Sequence, residues 1–332
     1  MNLAYKLHSG KNSKLAYYTR NYLLYLLPDS LFRASLAGGG TIFPHTVTEE
    51  ERRIIDDRTR YYCKAFADTP LPPDAPTLAM HKLPARNYAS VYFFDSYEYT
   101  RYFPKRLRWS YLFGDITRVP DTPSIVKSRP IGDGNANSVL LNLNKVRHFV
   151  FLEDSIPFAQ KKNMAIFRGD VRNKENRRRF MERWFGSALC DAGDTTPEAT
   201  ADRLGLPAEW RREPIPLREH LQYKFILALE GNDVASNLKW IMSSNSLAVM
   251  PRPKYETWFM EGRLIPDYHY VEIADDFSDL EQKMKYYSDH PDEAEKIIAH
   301  AHEFVEQFRD KRLERLISLN GLQRYFEQTG QL

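Results

Sequence analysis

Three stretches of this chain set reactive side chains where a strand would deliver them to a ligand. In Tyr111-Leu112-Phe113-Gly114-Asp115 a short apolar run ends in an acid. A carboxylate at a strand end can act as a general base once a substrate hydroxyl comes within hydrogen-bond reach. The same position suits a cap or a surface acid, and the residues alone leave that open. Val91-Tyr92-Phe93-Phe94-Asp95 has the same form, which makes Asp95 an alternative, and Asp121 lies on the segment after Asp115. In Met164-Ala165-Ile166-Phe167-Arg168 the run ends in an arginine, whose guanidinium can pair bidentately with phosphate. The third stretch, Tyr223–Pro251, reads as strand, polar turn, helix and strand. Its turn, Glu230-Gly231-Asn232-Asp233, precedes a helix that Asn232 or Asp233 would cap, and unpaired N–H groups at a helix start attract phosphate.

The elements that must position these residues follow from pattern. Phe225–Leu229 is continuously apolar, as in a strand covered on both faces of a parallel sheet. Val234, Leu238, Ile241 and Met242 recur at helical spacing, and Leu247–Met250 is the next strand. His148–Leu152 and His269–Ile273 read as further strands, whereas Asp115–Pro130, with three prolines and no apolar period, reads as an exposed loop. Residues 1–36 read as one or two short helices, and Thr48–Glu51 and Ser278–Glu281 as capping boxes. Gly38–Gly40 marks a break, Pro70, Pro72, Pro73 and Pro76 a rigid linker, and the apolar stripes after Pro291 packing helices. Arg177-Arg178-Arg179 winds around a helix and reads as solvated surface, with no ligand assigned.

Composition narrows the function classes. With 332 residues the chain can form two domains, and 47 basic against 44 acidic residues leave a net charge of only +3. Nothing in that balance drives the chain onto nucleic acid. Cys63 and Cys190 match no disulfide framework or zinc spacing, which fits a reducing compartment. No run approaches the roughly 20 apolar residues of a membrane span. The protein is read as soluble and cytoplasmic, with peripheral contact to a membrane's inner face left open. Lys6, Lys11, Lys14 and Arg20 suit either an anionic surface or plain solvent. The absence of D-x-D, H-x-x-x-H and H-x-x-E-H leads to the expectation of no metal site, and His300 and His302 face different ways on a helix.

Taken in order, FRGD (Phe167–Asp170), EGNDVASNLKW (Glu230–Trp240), SNSLAVMP (Ser244–Pro251), YETWFMEG (Tyr255–Gly262) and HYVEIADDFSDL (His269–Leu280) resemble glycosyltransferase family 90. The bacterial lipopolysaccharide-core branch of that family looks closest. The resemblance spans about Phe167 to Glu327 and is weaker around Asp115. It implies an α/β chain of GT-B type, with two Rossmann-like domains facing a cleft. Residues 1–155 would form the acceptor side, 156–305 the nucleotide-sugar domain, and 306–332 a helix packing back on the first domain. The implied reaction is inverting transfer of glucose or a similar hexose or pentose from a UDP-sugar to a hydroxyl of a lipopolysaccharide-core or other envelope glycan. The partners implied are the donor and a free or lipid-linked glycan, without nucleic acid; no cofactor or metal is implied, the UDP-sugar being a substrate.

The family's base is an aspartate followed by a segment ending in Val-Pro, and Asp115 stands in register with it, ahead of Val119-Pro120. Arg168 matches the arginine expected near the donor phosphates, and Gly231, Asn232, Ser236 and Lys239 match the donor block. Asn237 stands where many relatives carry arginine, so Lys239, Arg168 or the basic helix would have to supply the charge. Glu272 replaces a frequent proline. Glu261 resembles the acid that other GT-B enzymes place on a ribose, and reads equally as a surface helix acid. The alternative, motivated by Asn237, is a catalytically silent nucleotide-sugar- or glycan-binding protein that keeps the fold.

Overall fold

The structure, a computed structural model, describes residues 10–37, 47–64, 71–84 and 90–332. Lys6, the glycine triplet and Pro70 lie outside the described residues.

Local signals set the first helices. Ser13 Oγ accepts from the Ala16 N–H at 3.2 Å and starts α1 (Lys14–Tyr25), and α2 (Asp29–Ala37) follows Pro28. At α3 (Glu49–Tyr62) the expected reciprocal cap forms: Thr48 accepts from the Glu51 N–H at 3.1 Å, and the Glu51 carboxylate accepts from the Thr48 N–H at 2.8 Å. Helix α4 (Ser90–Thr100) corrects the strand predicted over Val91–Asp95. Aromatic side chains favour strands only weakly, and here packing decides, because Phe93 and Phe94 meet Tyr25, Tyr22 and Tyr18 of α1 edge to face. Asp95 is therefore no strand end. It is fully buried and accepts from the Tyr17 hydroxyl at 2.7 Å and the Lys145 N–H at 3.0 Å.

Strands β1 (Tyr111–Leu112), β2 (Ser124–Val126), β3 (Ser128–Pro130) and β4 (Ser138–Leu140) follow. The exposed loop predicted over Asp115–Pro130 is thus corrected, and Ser124–Arg129 is buried throughout. Lys127 pairs with Asp115, and Arg129 with Glu256 at 2.7 Å, so side chains that look solvent-facing in sequence are satisfied inside. Helix α5 (Lys145–His148) leads into irregular chain where a strand over His148–Leu152 is predicted. There the Leu152 N–H donates to Ser243 Oγ at 2.9 Å, which satisfies it without a neighbouring strand.

The chain continues through β5 (Lys162–Gly169), α6 (Glu175–Trp184), β6 (Cys190–Asp194), α7 (Glu198–Arg203), α8 (Leu217–His220), β7 (Tyr223–Leu227), α9 (Leu238–Met242) and β8 (Leu247–Met250). It ends with β9 (Tyr255–Thr257), β10 (Val271–Glu272), α10 (Leu280–Asp289), α11 (Pro291–Glu306) and α12 (Lys311–Gln328). The strand–helix–strand reading of Tyr223–Pro251 is present, but its helix begins at Leu238 and not after Asn232 or Asp233. At Ser278–Glu281 no reciprocal cap forms, because Asp279 Oδ1 accepts from the Ala274 N–H at 2.8 Å and ties the preceding turn instead.

The residues sort into two compact units. One comprises Ser13–Val146, Lys254–Gly262 and Phe308–Leu332. Its strands form a parallel sheet β1-β2-β4 and an antiparallel pair β3-β9, and α12 packs on α3 and α4. A buried polar network holds β9 there: Glu314 accepts from Arg58 and from Trp258 Nε1, each at 2.5 Å, and Tyr62 stacks on Trp258 at 3.8 Å. The other unit includes Arg147–Pro253 and Arg263–Gln307, built on a five-stranded, wholly parallel sheet. Its core joins Phe167, Phe180, Phe225, Val249 and Ile297. Among the described residues no helix is long and apolar enough to cross a membrane.

Candidate functional site

The order of the five parallel strands, β10-β8-β7-β5-β6, locates one place in that unit. From β5 the chain steps outward to β6, then crosses to the other side of β5 to lay down β7, β8 and β10. The winding therefore reverses between β5 and β7, and beyond the carboxyl ends of two such strands the connecting loops part, which is where open parallel sheets take ligands.

Arg177 sits at that point. Its Nε and Nη2 donate to the carbonyls of Glu230 and Leu229 at 3.0 and 2.8 Å, and its Nη1 donates to the carbonyl of Asp170 at 3.0 Å. One guanidinium on the first turns of α6 thus ties the loop after β5 to the loop after β7, and Asn176 adds a bond to the Glu230 carbonyl at 3.0 Å. Burial pushes Arg177 down to about 10, with Arg147 acting the same way and Asp170 against them, so it stays charged at neutral pH. Lys174 is lowered too, first by burial and then by Arg177 and Arg172, with Asp170 opposing. Asp170 is itself held below its usual range: burial works to raise it, but the Thr196 hydroxyl, Lys174 and Arg172 outweigh burial. Arg172, Lys174 and Arg177 gather beside Asp170, which shares the Thr196 hydroxyl with Asp194, and three cations against these two carboxylates make a setting for an anion. Sequence reading missed Arg177 because three adjacent arginines look alike. The usable signal was its place on the first turns of the helix after β5.

The residues singled out from sequence fall unevenly. A Cβ on Gly231 would lie 3.4 Å from Arg177 Nη2 and 3.8 Å from Lys174 Cε, so Gly231 borders the positive edge. Asn232 is exposed and Ser236 half-buried. Asn237 Nδ2 donates to the Leu227 carbonyl at 2.9 Å, at the end of β7. Lys239 is wholly buried in α9. Arg168 turns back along the sheet over Gly193, where a Cβ would collide with Arg212 and press on Arg168 Cδ at 3.2 Å. Its guanidinium donates to Asp191 Oδ1 at 2.6 Å and the Asp191 carbonyl at 2.7 Å. Glu261 belongs to the other unit. It is buried, not a surface acid, and accepts from the Thr257 N–H at 2.6 Å and the Thr257 hydroxyl at 2.9 Å.

In that other unit Asp115 follows β1 and is ion-paired with Lys127, which lies between β2 and β3. The pair presents the carboxylate as an anion, the form a base requires. Ser128 Oγ fixes the next residue, accepting from the Ile116 N–H at 3.1 Å and donating to its carbonyl at 3.0 Å. Two residues before Asp115, Phe113 stacks between Tyr111 at 4.5 Å and Tyr92 at 5.4 Å. Tyr111 is exposed, so this aromatic group reaches the surface. Asp121 is exposed, and its carbonyl accepts from Asn137 Nδ2 at 2.9 Å.

His81 lies under these rings, 4.7 Å from Trp109 and with Nε2 2.9 Å from Ser96 Oγ. Burial pushes its imidazole down to about 3, helped by Lys105 and opposed by a bond to the Phe93 backbone. Between that value and the usual 6.5 the unfolded chain binds the proton and the folded one does not. Stability is therefore expected to fall as pH drops below about 6.5, by ~1.4 kcal/mol per unit for this group. Urea midpoints from pH 7 to 5 check this: His81→Gln should show a shallower decline, and an unchanged slope would refute the assignment.

Among the described residues no three His, Cys, Asp or Glu side chains gather as a metal-binding set. Residues 141–315 match the glycosyl transferase family 90 model. The chain is 40% identical over 313 residues to O-glucosyltransferase LpsA of Dichelobacter nodosus, covering 94% of this chain and 95% of that protein. The chain belongs to glycosyltransferase family 90. A second relative is Protein O-glucosyltransferase 1 of Rattus norvegicus, 24% identical over 152 residues, 45% of this chain and 38% of that protein. This family 90 member is thus a glycosyltransferase with a mixed α/β fold and parallel sheets. The matched segment contains all five strands of the larger sheet and the positive edge, while Asp115 precedes it.

Proposed function

We propose that this glycosyltransferase moves glucose, or a similar hexose or pentose, from a UDP-sugar to a hydroxyl of a lipopolysaccharide-core or other envelope glycan, with inversion. The observation that carries the reading is the positive edge at the winding reversal, where Arg177 joins the loops after β5 and β7 beside Lys174, Arg172 and Gly231. The name of the 40% identical relative supports a glucosyl donor.

In this reading the diphosphate rests on that edge, with Asn232, Ser236, Asn237 and Lys239 shaping the donor loop and Arg168 holding Asp191 beneath it. Asp115 takes the acceptor proton as the hydroxyl oxygen bonds to the anomeric carbon, and the bond from that carbon to the UDP oxygen breaks on the opposite face. UDP leaves with the electron pair. Glu261 acts by fixing its own turn. A GT-B arrangement, an acceptor side over 1–155, a donor side over 156–305 and a returning helix over 306–332 belong to the same proposal, as does work at the cytoplasmic side of a membrane. The protein's cations take the place of a metal.

The test is a panel of UDP-sugars scored for UDP release and product anomer, with and without chelator. Release with one donor, inverted product and indifference to chelator is the expected result; binding of UDP without release from any donor and acceptor would favour the silent binder. Before any acceptor is known, UDP alone is expected to raise the melting midpoint. At a hundredfold excess over Kd the stabilisation is about 2.7 kcal/mol, or several degrees, and should be equal in EDTA. A midpoint that UDP does not move would overturn the donor-site reading, and a shift that appears only with manganese would overturn the metal-free part.

A further inference from the structure

The inner face of α1 is occupied by the protein itself. Tyr17 reaches Asp95, Tyr18 and Tyr25 pack on Phe94 and Phe93, and Asn21 is buried. The opposite face is apolar and open. Leu15 is 80% exposed, Leu23 63% and Leu26 77%. At 3.6 residues per turn Tyr22, Leu15, Leu26, Thr19 and Leu23 fall within an arc of roughly 100°, so the exposed leucines form one stripe. Scattered exposed leucines are ordinary; a stripe marks a surface that something covers.

Charge says what covers it. The first 28 residues contain no Asp or Glu, and they hold Lys6, Lys11, Lys14 and Arg20. Lys14 and Arg20 are exposed on α1. Of the acids packed nearest, Asp95 and Glu98 pair with Lys145 and Asp29 with Arg101 and Lys105, and Glu98 also pairs with the exposed Arg20 at 3.9 Å. A two-fold contact with a second copy would set these like charges near one another, which opposes association.

We propose that this face of α1 docks on an anionic lipid bilayer. The leucines enter the headgroup boundary while Lys14 and Arg20 meet lipid phosphates, the form in which a one-sided apolar helix with cations at its edge binds anionic membranes. Docking would bring the enzyme to a lipid-linked glycan, and in that purpose it rests on the function proposed above; the lipid binding itself does not.

The full chain is sedimented with phosphatidylcholine vesicles, with and without added phosphatidylglycerol. It is expected to partition onto the anionic vesicles. Leu23→Gln/Leu26→Gln should weaken this by about tenfold or more. Lys14→Gln/Arg20→Gln should weaken it about 20-fold at low salt, with the difference fading as salt rises. Leu204→Gln, an exposed leucine of the other unit, should leave it unchanged. No sedimentation of the unaltered protein, or sedimentation indifferent to the leucine pair, overturns the proposal. So does a concentration-dependent dimer that the leucine pair abolishes, since a second copy would then cover the face. Should the leucine variant melt early, the charge variant and its salt dependence decide in the same way. Transfer to a soluble acceptor is read in parallel: lipid binding with no transfer from any donor defeats the function and leaves the docking surface standing.

Discussion

A protein carrying Asp115→Asn is expected to lose about 10²–10⁴ in transfer rate while its affinity for UDP is unchanged. The amide keeps the shape and cannot take a proton, and Asp115 belongs to a different unit from the residues assigned to the donor. The structure adds a second expectation. Lys127 is only 1% exposed, so removing the charge of Asp115 weakens the compensation of a buried ammonium. The cost should be about 2 kcal/mol, below that of a fully buried pair because the Asp115 side chain is 23% exposed and water reaches it. Asp115→Asn should therefore melt lower than the unaltered protein. Asp115→Asn/Lys127→Met should recover much of that stability and none of the activity, which separates chemistry from folding. Retention of more than about a tenth of the rate in a folded Asp115→Asn protein would sink the assignment. Asp121, exposed on the same segment, would be the next candidate; Asp95 is enclosed by Tyr17 and Lys145.

Arg177→Met should lower stability by about 2–4 kcal/mol and weaken UDP binding tenfold or more, since three charge-assisted bonds to carbonyls are lost at once. The loops after β5 and β7 then lose their common tie, and the positive edge loses a charge. Its neighbour Arg178 is about half exposed and pairs with Glu182 at 3.0 Å one helical turn away. Arg178→Ala is expected to change stability by no more than about 0.5 kcal/mol and binding not at all. Urea unfolding and calorimetric titration with UDP distinguish the cases. Lost stability with unchanged UDP affinity would show that the edge is a structural joint and that the donor lies elsewhere. Arg168→Ala, which breaks the pair with Asp191, is expected to act mainly through the β5–β6 edge of the sheet.

Much of the secondary structure was legible because its signals are local. A buried parallel strand needs an unbroken apolar run, and Phe225–Leu227 and Leu247–Met250 carry it; a capping box needs only residues three apart, and Thr48 and Glu51 make one. The ordered blocks from Phe167 to Leu280 were enough to identify the family. The failures share one physical cause, which is that burial of polar and aromatic groups depends on partners far away in the chain. Val91–Asp95 has strand-like residues but is a helix because α1 packs on its aromatic side chains. Lys127 and Arg129 look like loop residues and are interior because Asp115 and Glu256 receive them. Lys254–Gly262 joins residues from the first half of the chain through the β3–β9 pairing, the Arg129–Glu256 ion pair and the stacking of Tyr62 on Trp258. The three consecutive arginines are the sharpest case. Composition makes them equal, and only the reversal of winding between β5 and β7 gives Arg177 two loops to hold and leaves Arg178 to solvent.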